Sequence, residues 1–209
     1  VYWWMFGGLA VTAVVALAVA SSPAAVSTLV GNKVLFFGLI IAQLGLVVYL
    51  SARVAKLAPA TAGTLFLAYS ALTGVTFSLI LLAYTGASVA NAFFITAGMF
   101  GALAVYGSVT KRDLTGMGRF MFMGLIGLVI ASVVGIFWQN DAMQFVMGVV
   151  GVLVFSGLIA YDTQRLRAMA LEVSGEQVGS YAIVGALSLY LDFINLFISL
   201  LRLFGDRRN

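Results

Sequence analysis

The sequence has no cysteine, no histidine and only two prolines, and charged residues make up 9% of its 209 residues. Without cysteine, the chain can form no disulfide, no thiolate metal site and no cysteine nucleophile. Without histidine, it can build no His-ligated haem, no Ser-His protease site and no HExxH zinc site, and it lacks the side chain that usually titrates near neutral pH. Any pH response must therefore come from carboxylates.

The scarcity of charge also identifies the solvent of this chain. Hydrophobic residues make up 63% of it and the mean hydropathy is +1.12, whereas a soluble domain carries about a quarter of its residues as charges. In lipid every backbone polar group needs an internal partner, which leaves helices or closed barrels. The apolar runs are continuous and lack the alternation of barrel strands. We therefore predict an all-α integral membrane protein.

Seven apolar runs divide the chain, and each is long enough to cross a hydrocarbon core of about 30 Å. They lie at residues 2–20, 33–52, 60–83, 89–109, 115–138, 142–162 and 180–204. The connections hold Pro23, Pro59 and most of the charges, including the segment 165–176, and we predict loops there. The sequence thus predicts a single seven-helix transmembrane domain over residues 1–209.

The beginning of the chain raises the question of a targeting segment. The first run ends in Ala18-Val19-Ala20-Ser21, which resembles a signal-peptidase site. No basic stretch precedes it and six further runs follow, so we expect this segment to remain as the first span. The chain opens at Val1 without an initiator methionine, and we expect a polar N-terminal tail to precede it.

The basic residues between the runs predict an orientation. Lysine and arginine concentrate after the second, fourth and sixth runs, whereas only Lys33 follows the first, third or fifth. The positive-inside rule then places the N-terminus in the cytoplasm, and seven spans place the C-terminus outside. Arg202, Arg207 and Arg208 argue against the last step, so a re-entrant hairpin in place of the seventh span is the alternative. We interpret the net charge of +4 as this topology signal and not as a nucleic-acid surface.

Two aspartates fall inside or at the end of apolar runs, where a charge costs a few kcal/mol unless it is paired or hydrated. Asp162 lies near the end of the sixth run, and Asp192 lies near the middle of the seventh. Asp192 belongs to a polar stripe, because small and polar residues recur there at spacings of four and three along one helix face. The stripe comprises Tyr181, Gly185, Ser188, Asp192, Asn195, Ser199 and Arg202. Such a stripe must face the interior of the bundle or a water-filled cavity.

The members of the stripe carry different expectations. We expect Ser188 and Ser199 to fix packing through hydrogen bonds between helices. We expect Asp192 to be functional, because an asparagine would satisfy packing without the cost of a charge.

The two aspartates can form a pair. The sixth and seventh runs are adjacent and antiparallel, so Asp162 can approach Asp192 if the sixth helix tilts or extends. Such a pair would share one proton and titrate as a coupled unit, which makes it a pH sensor without histidine. The alternative for Asp162 is a solvated carboxylate that Arg165 or Arg167 neutralises.

Arg53, at the end of the second run, is the natural counter-charge for this pair, because its long side chain can reach inward along the helix. The alternative is a plain interfacial anchor. We assign the anchor role to the other basic residues near the second, fourth and fifth runs, namely Lys56, Lys111, Arg112 and Arg119.

Two aspartates on consecutive helices also resemble the site of intramembrane aspartyl proteases, in which one activates water and the other protonates the leaving group. Those enzymes carry Tyr-Asp on one helix, as at Tyr161-Asp162, but Gly-x-Gly-Asp on the next. This chain has Leu189-Tyr190-Leu191-Asp192 and no Pro-Ala-Leu segment. Because the glycines that would permit close backbone approach are missing, we predict that the chain is not an enzyme. A proton-coupled transporter is disfavoured because the seven runs show no inverted repeat.

The longest motif of the chain lies in its last two runs. It comprises Tyr161-Asp162-Thr163-Gln164, then Ala186-Leu187-Ser188-Leu189-Tyr190-Leu191-Asp192-Phe193-Ile194-Asn195-Leu196-Phe197, then Leu200-Leu201-Arg202. Supporting matches are Ser51-Ala52-Arg53, Leu72-Thr73-Gly74 and Thr110-Lys111-Arg112-Asp113-Leu114. Together these residues cover nearly the whole chain from the second run onward, and they resemble the signature of the Bax inhibitor-1 family in its bacterial branch.

The resemblance implies a seven-helix bundle in the bacterial inner membrane, with the last helix central, and a pH-sensitive leak of calcium down its gradient. It assigns the pH sensor and the calcium contact to Asp162 and Asp192 and the latch of the closed state to Arg53, with no cofactor. The expected partners are lipid, protons and calcium, a hard cation that suits carboxylate oxygens.

One departure and one alternative accompany the resemblance. Relatives often carry an acidic residue near the place of Gln43, and a neutral side chain there would weaken the attraction of cations. The family also offers a second function, that of a non-conducting modulator that binds a membrane-bound ATP-dependent protease. The N-terminal tail would be its docking element.

Overall fold

The computed structural model of the chain describes residues 1–137, 140–173, 175 and 177–208, and these form eight α-helices. The helices are α1 Tyr2–Ala20, α2 Pro23–Gly31, α3 Lys33–Arg53, α4 Pro59–Ala83, α5 Gly86–Val109, α6 Thr115–Phe137, α7 Asp141–Glu172 and α8 Gln177–Phe204. All except α2 are long and apolar enough to cross a membrane. The predicted all-α, seven-span fold is confirmed, although Trp138, which ends the fifth predicted run, and the predicted loop residue Glu176 lie outside the described residues.

The segment after Pro23 corrects the prediction of a loop, because Pro23–Gly31 forms the nine-residue helix α2. Proline suits the first helical position, where its missing N–H would have no intrahelical partner. The Ser22 hydroxyl accepts a hydrogen bond from the backbone N–H of Ala25 at 3.4 Å. The next helix begins in the same way, since the Asn32 side chain accepts from the N–H of Leu35 at 3.0 Å.

The end of α7 corrects a second boundary. The sixth apolar run ends at Asp162, but the helix continues without a break to Glu172. The apolar run ends at Asp162 because charged residues follow it. A hydropathy pattern indicates which residues meet lipid and which meet water, and not where a helix ends. The backbone continues because leucine, alanine, methionine and arginine, which fill residues 165–171, favour helix in water as well.

The structure divides into two compact units, and the first contains α1 to α4 and α8 as far as Tyr190. In this unit α1 and α3 both pack against α4, and α2 contacts α1 and α3. Gly74 of α4 lies so close to α1 that a β-carbon there would stand 2.7 Å from the Thr12 carbonyl oxygen. The Ser180 hydroxyl at the start of α8 donates to the carbonyl of Leu57 at 2.6 Å, which ties α8 to the connection before α4.

The second unit contains α5, α6, α7 and the part of α8 from Leu191. In it α7 packs against both α5 and α6. Glycines alternate between α6 and α7 along their interface, where Gly118 faces Tyr161, Gly157 faces Met121 and Gly124 faces Val154. Small residues at such positions let spanning helices approach where lipid supplies no hydrophobic drive. The single-domain organisation predicted from the sequence stays a prediction.

The last helix is continuous from Gln177 to Phe204. This continuity contradicts the re-entrant hairpin and supports seven spans. In its most apolar window 72% of the residues are buried, against 6% to 39% in the other six long helices. Its predicted place at the centre of the bundle stays a prediction.

Candidate functional site

The two predicted aspartates come together in the second unit. Asp192 on α8 is buried, with 6% of its surface exposed, and Asp162 on α7 is half-buried. Their carboxyl groups lie close enough to interact electrostatically. Helix α7 continues beyond Asp162, which is the extension of the sixth helix that we expected to let the two aspartates approach.

Three buried side-chain oxygens on α7 and α8 have no hydrogen-bond partner among the described residues. They are Oδ2 of Asp192, the Thr163 hydroxyl, next to Asp162 in the chain, and the Ser156 hydroxyl two helical turns earlier on α7. A buried polar atom without a partner costs about 1 to 3 kcal/mol. Such atoms mark a position suited to a water molecule, a proton or an ion.

Close helix packing fixes the backbone on which Asp162 stands. Gly107 of α5 lies against the backbone of Ala160, and a β-carbon at this glycine would overlap the Ala160 carbonyl oxygen. Gly118 of α6 lies against the ring of Tyr161. The two residues that precede Asp162 are therefore held from two sides, so the direction of its side chain is set by the packing of α5 and α6 on α7.

The residues that follow Asp162 bind the connection between α5 and α6. The Gln164 side chain accepts from the Leu114 N–H at 2.9 Å and donates to the Arg112 carbonyl at 2.8 Å. Arg167 donates from its guanidinium to the carbonyl of Ser108. We name the two hydrogen bonds of the Gln164 side chain the loop clamp. It joins the last residue of the Tyr-Asp-Thr-Gln motif to the motif at residues 110–114.

Of the two arginines that the sequence offered as counter-charges for Asp162, only Arg165 interacts with it. Arg165 attracts the Asp162 carboxylate electrostatically, whereas Arg167 contacts the Ser108 carbonyl. In the same connection, Asp113 accepts hydrogen bonds from the Thr115 hydroxyl and N–H at 2.6 and 2.9 Å. These bonds hold the pKa of Asp113 below its usual range, and the bond from the Thr115 hydroxyl contributes most. Asp113 caps α6 and is ionised at neutral pH.

The polar stripe of α8 differs from the prediction in one respect. The Ser199 hydroxyl donates to the Asn195 carbonyl of its own helix at 2.7 Å, and Asn195 donates from its amide to the Leu191 carbonyl at 2.8 Å. The proton of the Ser199 hydroxyl thus goes to a carbonyl of its own helix, and the expected hydrogen bond between helices stays a prediction. Ser199 nevertheless packs across the interface, against Gly151 of α7. Ser188 is half-buried in the first unit, and its predicted role stays untested.

The apolar side of α8 next to Asp192 is aromatic. The ring of Phe193 lies 5.8 Å from that of Phe93 and 5.7 Å from that of Phe100, both in edge-to-face geometry. Such pairs add about 0.5 to 1.5 kcal/mol to the free energy of burial. They fix the rotation of α8 about its axis and hence the direction of Asp192.

The predicted latch and the departure at Gln43 both lie in the first unit. Arg53 is exposed at the end of α3, and its guanidinium carbon lies 5.9 Å from the centre of the Tyr49 ring, within cation–π distance. Its role as a latch stays a prediction. Gln43 donates from its amide to the Leu72 carbonyl of α4 at 3.4 Å, a bond that a carboxylate could not make.

Sequence reasoning missed a buried cluster of hydroxyl groups in the first unit. The hydroxyls of Tyr190 and Thr12 lie 2.6 Å apart, and the Thr12 hydroxyl shares its one proton between the carbonyls of Gly8 and Ser70, each at 2.9 Å. The Tyr190 ring also packs edge-to-face on Phe66. The available signal was the tyrosine two residues before Asp192. Its partners are 120 or more positions away in the chain, so no local pattern indicates them.

The paired carboxylates can hold a proton or contact a cation. Among the described residues, no group of three or more aspartate, glutamate, cysteine or histidine side chains is placed to hold a metal. Calcium takes six to eight oxygen ligands. Two carboxylates supply only part of such a ligand shell.

Comparison with known proteins identifies the family. All of residues 1–209 match the family model described as "Inhibitor of apoptosis-promoting Bax1". Inner membrane protein YbhL of Escherichia coli (strain K12) is 51% identical over 211 residues, covering 100% of this chain and 90% of the relative. An uncharacterized protein of Deinococcus radiodurans is 46% identical over 207 residues, covering 99% and 88%. An uncharacterized membrane protein of Streptococcus pyogenes serotype M1 is 44% identical over 180 residues, covering 86% and 78%. As its motifs predict, this chain is an integral membrane protein that belongs to the Bax inhibitor-1 family.

Proposed function

We propose that this protein is a pH-sensitive calcium leak of the bacterial inner membrane, gated by the pair Asp162 and Asp192 with Arg53 as latch. The observation that supports it most strongly is the close approach of two carboxyl groups on α7 and α8, of which that of Asp192 is buried. Packing alone does not need ionisable groups at such a place, because amides would make the same contacts without the cost of a buried charge.

The proposed gate works through the charge of the pair. The ionised pair attracts the Arg53 guanidinium, and this attraction holds the closed state. Protonation removes negative charge from the pair and weakens the attraction, so the leak should rise as pH falls. Because the two carboxyl groups are in contact, they change charge as one coupled unit.

Calcium is proposed as the permeant ion because the carboxylate oxygens are hard ligands. Conduction requires an ion to bind well enough to enter and weakly enough to leave. A pair of carboxylates with water completing the shell meets both needs, whereas a full protein cage would trap the ion.

The proposal is tested by reconstitution of the purified protein in liposomes loaded with a calcium dye. Flux is measured from about pH 5 to pH 8, the range that perturbed carboxylates in low dielectric cover. Flux that rises toward acidic pH supports the proposal. No flux at any pH contradicts it and favours the second function of the family, binding to a membrane-bound ATP-dependent protease, which co-purification from native membranes would detect.

The location and the absence of catalysis belong to the same proposal. One relative is named an inner membrane protein, and we place this chain in the inner membrane with its N-terminus in the cytoplasm, as the distribution of basic residues indicates. A leak also needs no enzyme chemistry, and Leu189 and Leu191 occupy the positions where an aspartyl protease would carry the two glycines before its second aspartate.

A further inference from the structure

A cavity of about 460 Å³ lies in the second unit, between the first turns of α5 and the end of α8. Its polar lining is formed by Ser88, Asn91 and Asp206, and its aromatic lining by Phe94 and Phe204. The two phenylalanines are 72% and 70% exposed. Because exposed apolar side chains of spanning helices meet lipid, the cavity opens sideways, toward the bilayer.

The polar and apolar parts of this lining lie at different depths along α5. Helix α5 begins at Gly86 and α8 ends at Phe204, so the cavity lies at one end of both spans. Asn91 stands in the second turn of α5, and Phe94 lies about 5 Å deeper along the helix. Asp206 follows the last residue of α8. The polar lining is therefore at the level of lipid headgroups, and Phe94 reaches toward the acyl chains.

Two polar side chains of the lining have no partner within the part of the chain that the structure describes. The backbone N–H of Asp206 donates to the Ser88 hydroxyl at 2.9 Å, which holds Asp206 against the first turn of α5. The carboxylate of Asp206 and the amide of Asn91 make no hydrogen bond or ion pair with a described residue. Both groups are thus fixed in the lining and available to a ligand.

The chemistry of the lining selects the ligand, independently of the proposed leak. A carboxylate beside exposed aromatic rings suits an ammonium group, which the carboxylate binds through charge-assisted hydrogen bonds and the ring faces also attract. The positive end of the α5 helix dipole lies at the same place and suits a phosphate. A metal ion would leave the apolar lining unused. We propose that the cavity between α5 and α8 binds a phospholipid with a primary ammonium headgroup, its ammonium on Asp206 and Asn91 and an acyl chain along Phe94.

The test is native mass spectrometry of the purified protein released from nanodiscs that contain equal amounts of phosphatidylethanolamine and phosphatidylglycerol. Phosphatidylglycerol is the competitor because Arg207 and Arg208, which follow Asp206 in the chain, would favour it. The wild-type protein should retain phosphatidylethanolamine preferentially. Asp206→Asn should reduce this preference about two- to fivefold, the range of one exposed ion pair. Asp141→Asn is the matched control, because it removes the same charge at an exposed residue on the same predicted side of the membrane, outside the lining.

A second pair of variants leaves every charge unchanged and keeps the test decisive if Asp206→Asn fails to fold. Ala87→Phe extends an exposed lining side chain of α5 into the cavity and should remove the retained lipid, whereas Ala90→Phe, exposed on the same helix but outside the lining, should not. Retention of phosphatidylglycerol equal to that of phosphatidylethanolamine by the wild-type protein would overturn the proposal. So would an unchanged preference in Asp206→Asn, an Ala87→Phe variant that retains the lipid normally, or displacement of the lipid by phosphoethanolamine, which carries the headgroup chemistry without chains.

Discussion

At the scale of single residues, the Asp192 carboxyl is the group whose burial is hardest to explain by packing. Asp192→Asn keeps the size and polarity of the side chain, so folding should survive. Because the variant cannot exchange a proton there, calcium flux in liposomes should lose its dependence on pH. Asp162→Asn should do the same, and the double variant should add little to either single change, since coupled groups act as one unit.

Asp113→Asn is the matched control for these variants. The lowered pKa of Asp113 means that its cap of α6 is present at all pH values above the ordinary aspartate range and is lost only as pH falls through the lowered pKa. Its replacement should leave the pH profile of flux unchanged between about pH 5 and pH 8. If Asp192→Asn keeps the full profile with normal stability, Asp192 serves packing polarity and the carboxylate sensor is wrong.

Arg53 permits a second test at this scale. Arg53→Ala should raise the resting flux at neutral pH and flatten the pH response, because the ionised pair then lacks its counter-charge. Flux per reconstituted molecule is the measurement, and Lys56→Ala, an exposed basic residue nearby in the chain, is the control. A variant that inserts poorly but leaks normally per molecule would show that Arg53 is an interfacial anchor.

Single residues also show the limits of reading a sequence. Asp162 and Asp192 could be selected because a charge within an apolar run needs a reason. The partners of Tyr190 could not be identified from the sequence. The hydroxyl of Thr12 and the carbonyl of Ser70 come into contact only when α1 packs on α4. Likewise, a serine such as Ser199 has a backbone carbonyl available in its own helix, which sequence spacing does not distinguish from a partner across an interface.

At the scale of helices, the packing of α5 on α7 gives a matched pair of glycine variants. Gly107→Ala places a methyl group against the Ala160 backbone and should destabilise the protein by about 1 to 3 kcal/mol. Gly101→Ala, on the same helix with open space around it, should be neutral or stabilising by up to about 1 kcal/mol, as alanine favours helix. Thermal unfolding in detergent measures both, and equal midpoints would show that the approach at Gly107 is not close.

The loop clamp gives a further test at the scale of elements. Gln164→Leu fills a similar volume but leaves the Leu114 N–H and the Arg112 carbonyl without their side-chain partner. Because these groups are only partly buried, we expect a loss of about 1 kcal/mol in unfolding free energy. Gln177→Leu, an exposed amide at the start of α8, should leave the unfolding midpoint unchanged. Hydrogen exchange should accelerate at Leu114 in the first variant only, and unchanged exchange there would contradict the clamp.

Helices that cross the membrane could be predicted from the sequence, whereas helical segments outside the apolar runs could not. The seven runs match seven long helices because a span of lipid demands a continuous apolar stretch. Pro23–Gly31 was missed because a nine-residue helix in a connection has no such demand on its composition. The continuation of α7 to Glu172 was missed because its residues are charged, although their helix propensity was visible.

At the scale of the whole molecule, the absence of cysteine makes the orientation testable by single cysteines. With the N-terminus in the cytoplasm, Lys111→Cys should react with a membrane-impermeant maleimide only after the cells are opened, whereas Asp141→Cys should react in intact cells. Both positions are exposed and lie in or beside connections, so neither change should disturb a span. The reverse pattern of labelling would place the N-terminus outside.

The class of the molecule followed from composition, but its division into units did not. Hydropathy reports where a chain meets lipid, so the all-α membrane fold was fixed by 63% hydrophobic residues in seven runs. The first unit joins residues 1–85 with 173–190, and the second joins 86–172 with 191–206. Segments that are distant in sequence leave no periodic pattern to announce that they belong together.

The contribution of α8 to both units has a consequence for the order of events on the ribosome. Chains usually fold from the N-terminus as they are made. Here α1 to α4 enter the bilayer before Tyr190 exists to meet Thr12 and Phe66, so the first-made helices must wait for the last one. A chain truncated before α8 would therefore lack packing partners of its first helices as well as its last helix.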